Sequence, residues 1–543
     1  MPTLELSSAS LTDAPADALI LPFFQGREPG PGVAAVQQAL GADLMSALAD
    51  HGVQGKVGET FTVPTFGRIG AKSVVLVGLG KKAEAGTSAI RRAAMKAART
   101  VATFPTVATT VHQLGESPQD SAQAFAEGVA LGAYRFDRYK EKPIDAASQQ
   151  KPKLGKILAL TDGRRSGGTQ SGFSRGQVYG DAANWARDLV NMPAIDATPA
   201  FLADEARAMA RRSGLTCKIW TKAELQKGGF GGILGVGAGS ANEPRLIELT
   251  YEGGAARAPI AVTGKGVTFD SGGLSIKDAA NMEWMKADMG GAAATLAAMR
   301  AVAELQPRVN VIAAIPSAEN LPGGSAIRPG DVLHHRGGKT SEVLNTDAEG
   351  RLILADALAY LAEKNPRVII DSATLTGAAM IALGTDVYAV IGSDQRLIDD
   401  LIAAGRQEGE EAWELPLWTD YRRHIESTVA DVKNVGIRWG GAITAALFLK
   451  EFVGDIPWAH LDVAGTAFAE QAGDLWPKGA TGSPARTLIR YIEGQAGRGG
   501  RSQAAAAGDG RAALKRTAAN RVVAKRAGAK RVAARKSTSR RRR

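Results

Sequence analysis

Two stretches of the chain concentrate carboxylates, lysines and glycines in a pattern that could do chemistry. GKGVTFDSGGLSIKDAANMEWMKADMGG (264–291) places Lys265, Asp270, Lys277 and Asp288 at the end of an apolar strand and in the loop after it. VLNTDAEGRLILADAL (343–358) places Asp347, Glu349 and Arg351 between a strand and a helix. An open α/β sheet puts its ligand crevice in such places, outside the carboxyl ends of its strands. Glycines 264, 266, 272, 273, 290, 291 and 350 let backbone approach a compact site closely. Four converging carboxylates repel one another when ionised, and one or two divalent ions are the natural compensation. Carboxylate-rich oxygen sites suit Mg, Mn or Zn, depending on geometry. Taken singly, each of these residues reads as a surface acid or lysine; their joint placement at strand ends favours a site.

Other short matches carry less. Gly78-Leu79-Gly80-Lys81-Lys82-Ala83 fits a dinucleotide turn, but residues 98–104 hold no acid for a ribose, so it reads as a tight strand-to-helix turn. Gly338-Lys339-Thr340 resembles the end of a phosphate-binding loop, yet Leu333 stands where the earlier glycine must be. Gly172-Phe173-Ser174-Arg175-Gly176 fits the nucleophile elbow of serine hydrolases, but a Gly/Ser loop precedes it instead of the required strand. The adjacent pair His334-His335 points its side chains to opposite faces of a strand, and no H-E-x-x-H occurs. Cys217 is the only cysteine, which excludes intramolecular disulfides and Cys-based zinc sites and fits a reducing compartment.

The elements needed to position the two stretches are readable. In residues 1–160, KSVVLVGLG (72–80) and KILALTDGR (156–164) read as strands, and 87–104 as an amphipathic helix. RRSGGTQSG (164–172) is a Gly/Ser-rich stretch suited to a boundary. Beyond it, strands are expected at 258–266, 309–317, 367–375, 386–393 and 458–464, and helices at 174–191, 289–305, 349–364, 441–453 and 484–493. The expectation is an α/β protein: two α/β domains with largely parallel covered sheets, 1–165 and 173–493, the second catalytic, followed by a disordered basic tail, 494–543.

Length and composition agree. The chain has 543 residues, 45% hydrophobic and 22% charged, as in ordinary globular proteins. No run of eighteen apolar residues suggests a membrane span, and the N-terminus lacks a basic signal-peptide start. The net charge of +11 is unevenly spread: residues 494–543 hold 16 Lys/Arg against Asp509 alone, leaving the remainder mildly acidic. Such a polycation could bind nucleic acid through phosphates, although it contains no sequence-reading module.

The motifs closely resemble the leucyl (cytosol) aminopeptidase family of metallopeptidases. Asn345-Thr346-Asp347-Ala348-Glu349-Gly350-Arg351-Leu352 matches that family's signature, and GKGVTFDSGGLSIK (264–277) its other hallmark. DSATLTGA (371–378), RDLVNMPA (187–194) and WAHLDVAG (458–465) are also similar. The resemblance implies a cytoplasmic homohexamer that releases Leu-like N-terminal amino acids from peptides. It implies five ligands for two divalent ions, Mn or Zn: Lys265, Asp270, Asp288, Asp347 and Glu349. Asp270 and Glu349 correspond to bridging ligands, Lys265 and Asp288 to ligands of one ion, and Asp347 to a ligand of the other. Two close ions sharing a water would lower its pKa toward neutrality and supply a hydroxide. Lys277 and Arg351 match the non-ligand catalytic positions, the first stabilising an oxyanion, the second holding bicarbonate as general base. Met285, Thr374, Gly377 and Ala464 resemble positions lining the first specificity pocket.

Overall fold

The computed structural model describes residues 2–140, 153–161, 166–473 and 476–496. The basic tail expected at 494–543 therefore lies, from residue 497 on, outside the described residues. Packing divides the chain after Ile492, and both main sheets lie in the first unit.

The first sheet has seven strands. Its centre is Ala18–Phe24, an uninterrupted apolar run buried along its whole length. A strand covered on both faces has no polar side to show, so it reads as continuous hydrophobicity. Ser73–Gly78 and Thr106–Thr109 flank it in parallel, Lys156–Leu160 and Thr3–Ser7 extend the parallel set, and Thr60–Pro64 closes one edge antiparallel. The Gly78–Gly80 segment is a turn leading to a short 3-10 helix, Lys82–Glu84, and then the Thr87–Thr100 helix.

The second sheet has nine strands. Val368–Ala373, Ile260–Gly264 and Asn310–Asn320 form its parallel centre, with Trp458–Asp462 parallel beyond Val368–Ala373. The outer members break the pattern. Arg245–Glu252 runs antiparallel to Asn310–Asn320, Thr216–Trp220 antiparallel to Arg245–Glu252, and Tyr388–Gly392 antiparallel to Trp458–Asp462. The alternating RLIELTYE run buries mainly one face, as an antiparallel strand toward a sheet edge does. Cys217 sits half-buried on Thr216–Trp220, where burial raises its thiol pKa, so it is no activated nucleophile.

Two expectations need correction. The strand expected at 258–266 is two strands, Ile260–Gly264 and Gly266–Asp270, and the second pairs only with Asn310–Asn320. Lys265 is the break between them. The Gly/Ser stretch before residue 174 is not wholly a loop: a single 26-residue helix runs Ser166–Asn191. Its glycines serve close packing. A Cβ at Gly172 or Gly176 would lie 2.2 or 2.4 Å from a backbone oxygen of the Pro118–Ala133 helix, at Gln119 and Gln123. Ser174 lies in the helix interior and donates its hydroxyl hydrogen to Gln170 O at 3.2 Å, which removes the nucleophile-elbow geometry.

Candidate metal centre

The two carboxylate-bearing stretches meet at the carboxyl ends of the central strands. Lys265 is clamped at its backbone: its N–H donates to Ser372 O at 3.0 Å, and its carbonyl accepts from Ala292 N at 2.9 Å. The clamp requires glycine opposite, because a Cβ on Gly291 would lie 1.9 Å from Ser372 O. A Cβ on Gly350 would in turn lie 2.5 Å from Lys265 Cε, so the signature glycine is where the lysine side chain passes. Asp288 lies just before the Gly290–Leu305 helix and Glu349 just before the Gly350–Ala362 helix. Both carboxylates thus sit at the positive ends of helix dipoles.

Side chains from both stretches converge. Lys265 Nζ lies 2.7 Å from Asp288 Oδ2, 2.7 Å from Glu349 Oε1 and 3.0 Å from Thr374 O. Lys277 Nζ lies 2.9 Å from Asp270 Oδ2 and also pairs with Asp347 Oδ1. Carboxylate oxygens of Asp270, Asp347 and Glu349 all lie within 4.8 Å of one another, close enough to share an ion. Asp270 Oδ1 accepts from Gly272 N and Asn320 Nδ2, each at 2.8 Å, and Asp288 Oδ1 accepts from Thr374 Oγ1 at 2.7 Å.

The electrostatics are those of acids forced together in a dry place. Burial, and then the neighbouring carboxylates, push Asp270, Asp288 and Asp347 above the ordinary carboxylate range. Burial disfavours both ammonium groups, but the surrounding carboxylates outweigh it and raise Lys265 and Lys277 above an ordinary lysine. Three buried oxygens, Asp288 Oδ2, Asp347 Oδ1 and Glu349 Oε1, have no partner among the described residues other than the Lys265 and Lys277 ammonium groups. Buried acceptors are normally satisfied, and oxygens left with charge pairing alone are suited to metal ligation. The converging carboxylates fit divalent ions.

Arg351 is buried, which lowers its pKa to about 10. Its Nη1 donates to Asn434 O at 2.8 Å, while Nε has no acceptor among the described residues.

The positions expected to line a pocket come from three segments. Met285 opens a 3-10 turn, Thr374 follows the Val368–Ala373 strand, Gly377 starts a short helix, and Ala464 follows Trp458–Asp462. Asp462 draws two of them together, because its Oδ1 accepts from Leu375 N, Thr376 N and Ala464 N at 3.3 Å each. Trp284 against Phe468, ring centres 5.6 Å apart, brings in the Met285 segment.

Several supporting residues escaped the sequence reading. Thr346 laces the stretches together, accepting from Ser275 N at 2.8 Å and donating to Gly272 O at 2.6 Å. Asn434 fixes the signature loop: its Oδ1 accepts from Leu344 N at 2.9 Å and its Nδ2 donates to Asn345 O at 2.7 Å. Asn320 had a usable signal, a polar residue ending an eleven-residue buried strand. Asn434, in an irregular segment, had none. The His334-His335 pair divides as expected: His334 is exposed, while His335 is buried between Asp356 Oδ1 at 3.2 Å and Ser341 Oγ at 2.7 Å.

Family models decide the relationship. Residues 184–489 match the catalytic domain of the cytosol aminopeptidase family, and residues 20–143 match its N-terminal domain. The chain belongs to the cytosol aminopeptidase family. It is 43% identical over 485 residues to a probable cytosol aminopeptidase of Syntrophotalea carbinolica, covering 88% of this chain and 97% of that one. A probable cytosol aminopeptidase of Streptomyces avermitilis is 42% identical over 509 residues, with 91% and 98% covered. Among solved structures, a mutant tomato leucine aminopeptidase superposes with a TM-score of 0.81 at 31% identity, covering 91% of this chain and 96% of that one. The bottromycin maturation enzyme BotP in complex with Mn gives 0.78 at 36% identity, covering 89% and 100%. Family membership makes the chain an aminopeptidase of the metal-dependent hydrolase class.

Proposed function

We propose that the protein is a leucyl-type aminopeptidase using two divalent ions, Mn or Zn, held by Lys265, Asp270, Asp288, Asp347 and Glu349. The observation that carries this reading is the convergence of Asp270, Asp347 and Glu349 carboxylate oxygens within 4.8 Å of one another, in a centre where Asp288 and Glu349 are buried against Lys265. When bound, the ions supply Lewis acidity, lowering the pKa of water and polarising a peptide carbonyl. The chain's own residues do the rest. Lys277 carries a positive charge toward the oxyanion formed at the scissile carbonyl. Arg351, whose Nε has no acceptor among the described residues, holds a planar anion, bicarbonate, as the general base. Lys265 serves as a ligand only in its neutral form, which requires ion binding to outweigh the carboxylates that raise its pKa. Met285, Thr374, Gly377 and Ala464 line a pocket for Leu-like side chains.

The organisation follows the same reading: an N-terminal α/β domain over 1–165 and a catalytic domain over 173–493, assembled as a cytoplasmic homohexamer. The family-model matches at 20–143 and 184–489 support the division. The charge of residues 494–543 favours a second activity on a separate segment, binding to nucleic acid.

The test is release of nitroaniline from leucine p-nitroanilide by chelator-treated protein with and without added Mn or Zn. Activity should vanish on chelation and return with metal. Asp347→Ala should lower kcat/KM by more than the roughly 100-fold typical of an outer-shell partner. A metal-loaded protein that stays silent overturns the reading.

A further inference from the structure

Thr374 stands just past the Val368–Ala373 strand and is half-buried. Its hydroxyl donates to Asp288 Oδ1 at 2.7 Å, and its carbonyl accepts from Lys265 Nζ at 3.0 Å. Lys265 Nζ in turn lies 2.7 Å from the other Asp288 oxygen, Oδ2. Thr374, Lys265 and Asp288 thus close a ring of three contacts. The same strand end holds the lysine backbone, because Lys265 N donates to Ser372 O.

The segment carrying Thr374 is itself pinned. Leu375 N and Thr376 N both donate to Asp462 Oδ1 at 3.3 Å, and Thr376 Oγ1 donates to Asp462 Oδ2 at 2.6 Å. Val463 N donates to Ala373 O at 2.8 Å. The remaining aspartates are aimed from elsewhere. Asp270 Oδ1 takes its hydrogen bonds from Gly272 N and Asn320 Nδ2, and the Asp347 N–H donates to Asn345 Oδ1 at 2.9 Å. Asn345 is held in turn by Asn434 Nδ2, which donates to its carbonyl at 2.7 Å. None of these bonds comes from residues 372–376 or from Asp462.

Two atoms of one residue therefore serve both groups assigned above to a single ion. A lysine binds an ion through its neutral amine, which keeps two N–H groups and one lone pair. A carbonyl that accepts one N–H helps turn the lone pair toward the ion. A hydroxyl on one Asp288 oxygen likewise leaves the other oxygen for that ion. Partners of this kind orient ligands and tune ion affinity without touching the ion. We propose that Thr374 is a positioning residue for the ion held by Lys265 and Asp288, acting through those two side chains and not through Asp347. The proposal rests on the two-ion reading and gives Thr374 a role that lining a pocket does not include.

The test is binding of Mn to the metal-free full chain, with the number and affinity of bound ions read by equilibrium dialysis and metal analysis. The unaltered chain should bind two. Thr374→Val removes the hydroxyl and keeps the side chain's shape, including the methyl that stands beside Gly290. It should weaken one ion about 10–100-fold, as loss of an outer partner does. The other ion should stay within about threefold, as independent sites do. Thr374→Ser returns the hydroxyl and should return the affinity. In Asp347→Ala, where the ion that remains is the one at Lys265 and Asp288, adding Thr374→Val should weaken that ion by the same about 10–100-fold. Thr374→Ala, which adds no bulk, should repeat the result if the valine protein does not unfold cooperatively. Both ions kept at unaltered affinity, both weakened alike, or no rescue by serine would each overturn the proposal alone. An unaltered chain that binds fewer than two ions overturns the two-ion reading and the proposal with it.

Discussion

His460 is completely buried, and its Nδ1–H donates to Asp371 Oδ1 at 2.5 Å. Trp458 Nε1 donates to the other Asp371 oxygen at 2.7 Å, and His460 Nε2 faces Asp462 Oδ2 at 3.9 Å. Burial disfavours the imidazolium, but Asp371 and then Asp462 outweigh it and raise His460 from 6.5 to about 9. The raised pKa favours the imidazolium form beside Asp462, whose carboxylate gathers the loops after Val368–Ala373 and Trp458–Asp462. A group whose folded pKa is raised adds stability that is complete below its unfolded value near 6.5 and is lost as pH rises through 9. Thermal unfolding followed from pH 6 to 10 should show this decline in the native chain and a flatter profile in His460→Gln. Equal slopes would mean the histidine is neutral. None of this was visible in WAHLDVAG beyond family likeness, because the partner acid lies 89 residues away in sequence. The site candidates were legible for the opposite reason: Asp347, Glu349 and Arg351 stand within five residues at the entry to the Gly350–Ala362 helix.

Elements whose pattern is continuous were also legible. Strands such as Tyr388–Gly392 and helices such as Gly350–Ala362 are apolar almost throughout, and both appear close to where they were expected. Elements defined by a missing side chain were not. Glycine reads as a loop residue, yet Gly172 and Gly176 lie in the Ser166–Asn191 helix because another backbone needs their space. Gly176→Val would force a Cβ to 2.4 Å from Gln123 O and 2.7 Å from Ala126 Cβ. Separation of the two helices should destabilise the protein by about 1–3 kcal/mol. Urea unfolding is the measurement, and an unchanged midpoint would show that the helices part at little cost.

At the scale of the molecule, charge is segregated along the chain. Residues 494–543 are net +15, so the rest of the chain is net −4. Phosphate binding by such a segment releases counterions and weakens steeply with salt. DNA affinity of the full chain should fall with a steep log–log salt slope, and deletion of 494–543 should abolish binding while sparing peptide hydrolysis. A truncated chain that binds DNA as tightly assigns the interaction elsewhere.

Chain order adds a temporal consequence to the Asp462 carboxylate. All five residues proposed as metal ligands have been synthesised once Glu349 emerges, but Asp462 follows roughly a hundred residues later, or about 5–20 s of translation. The lacing by Asn434 and the gathering of the pocket loops by Asp462 both arrive in that interval. A nascent chain thus carries its acids before it carries the scaffold that aims them. The finished geometry of the carboxylate centre is an event of late synthesis.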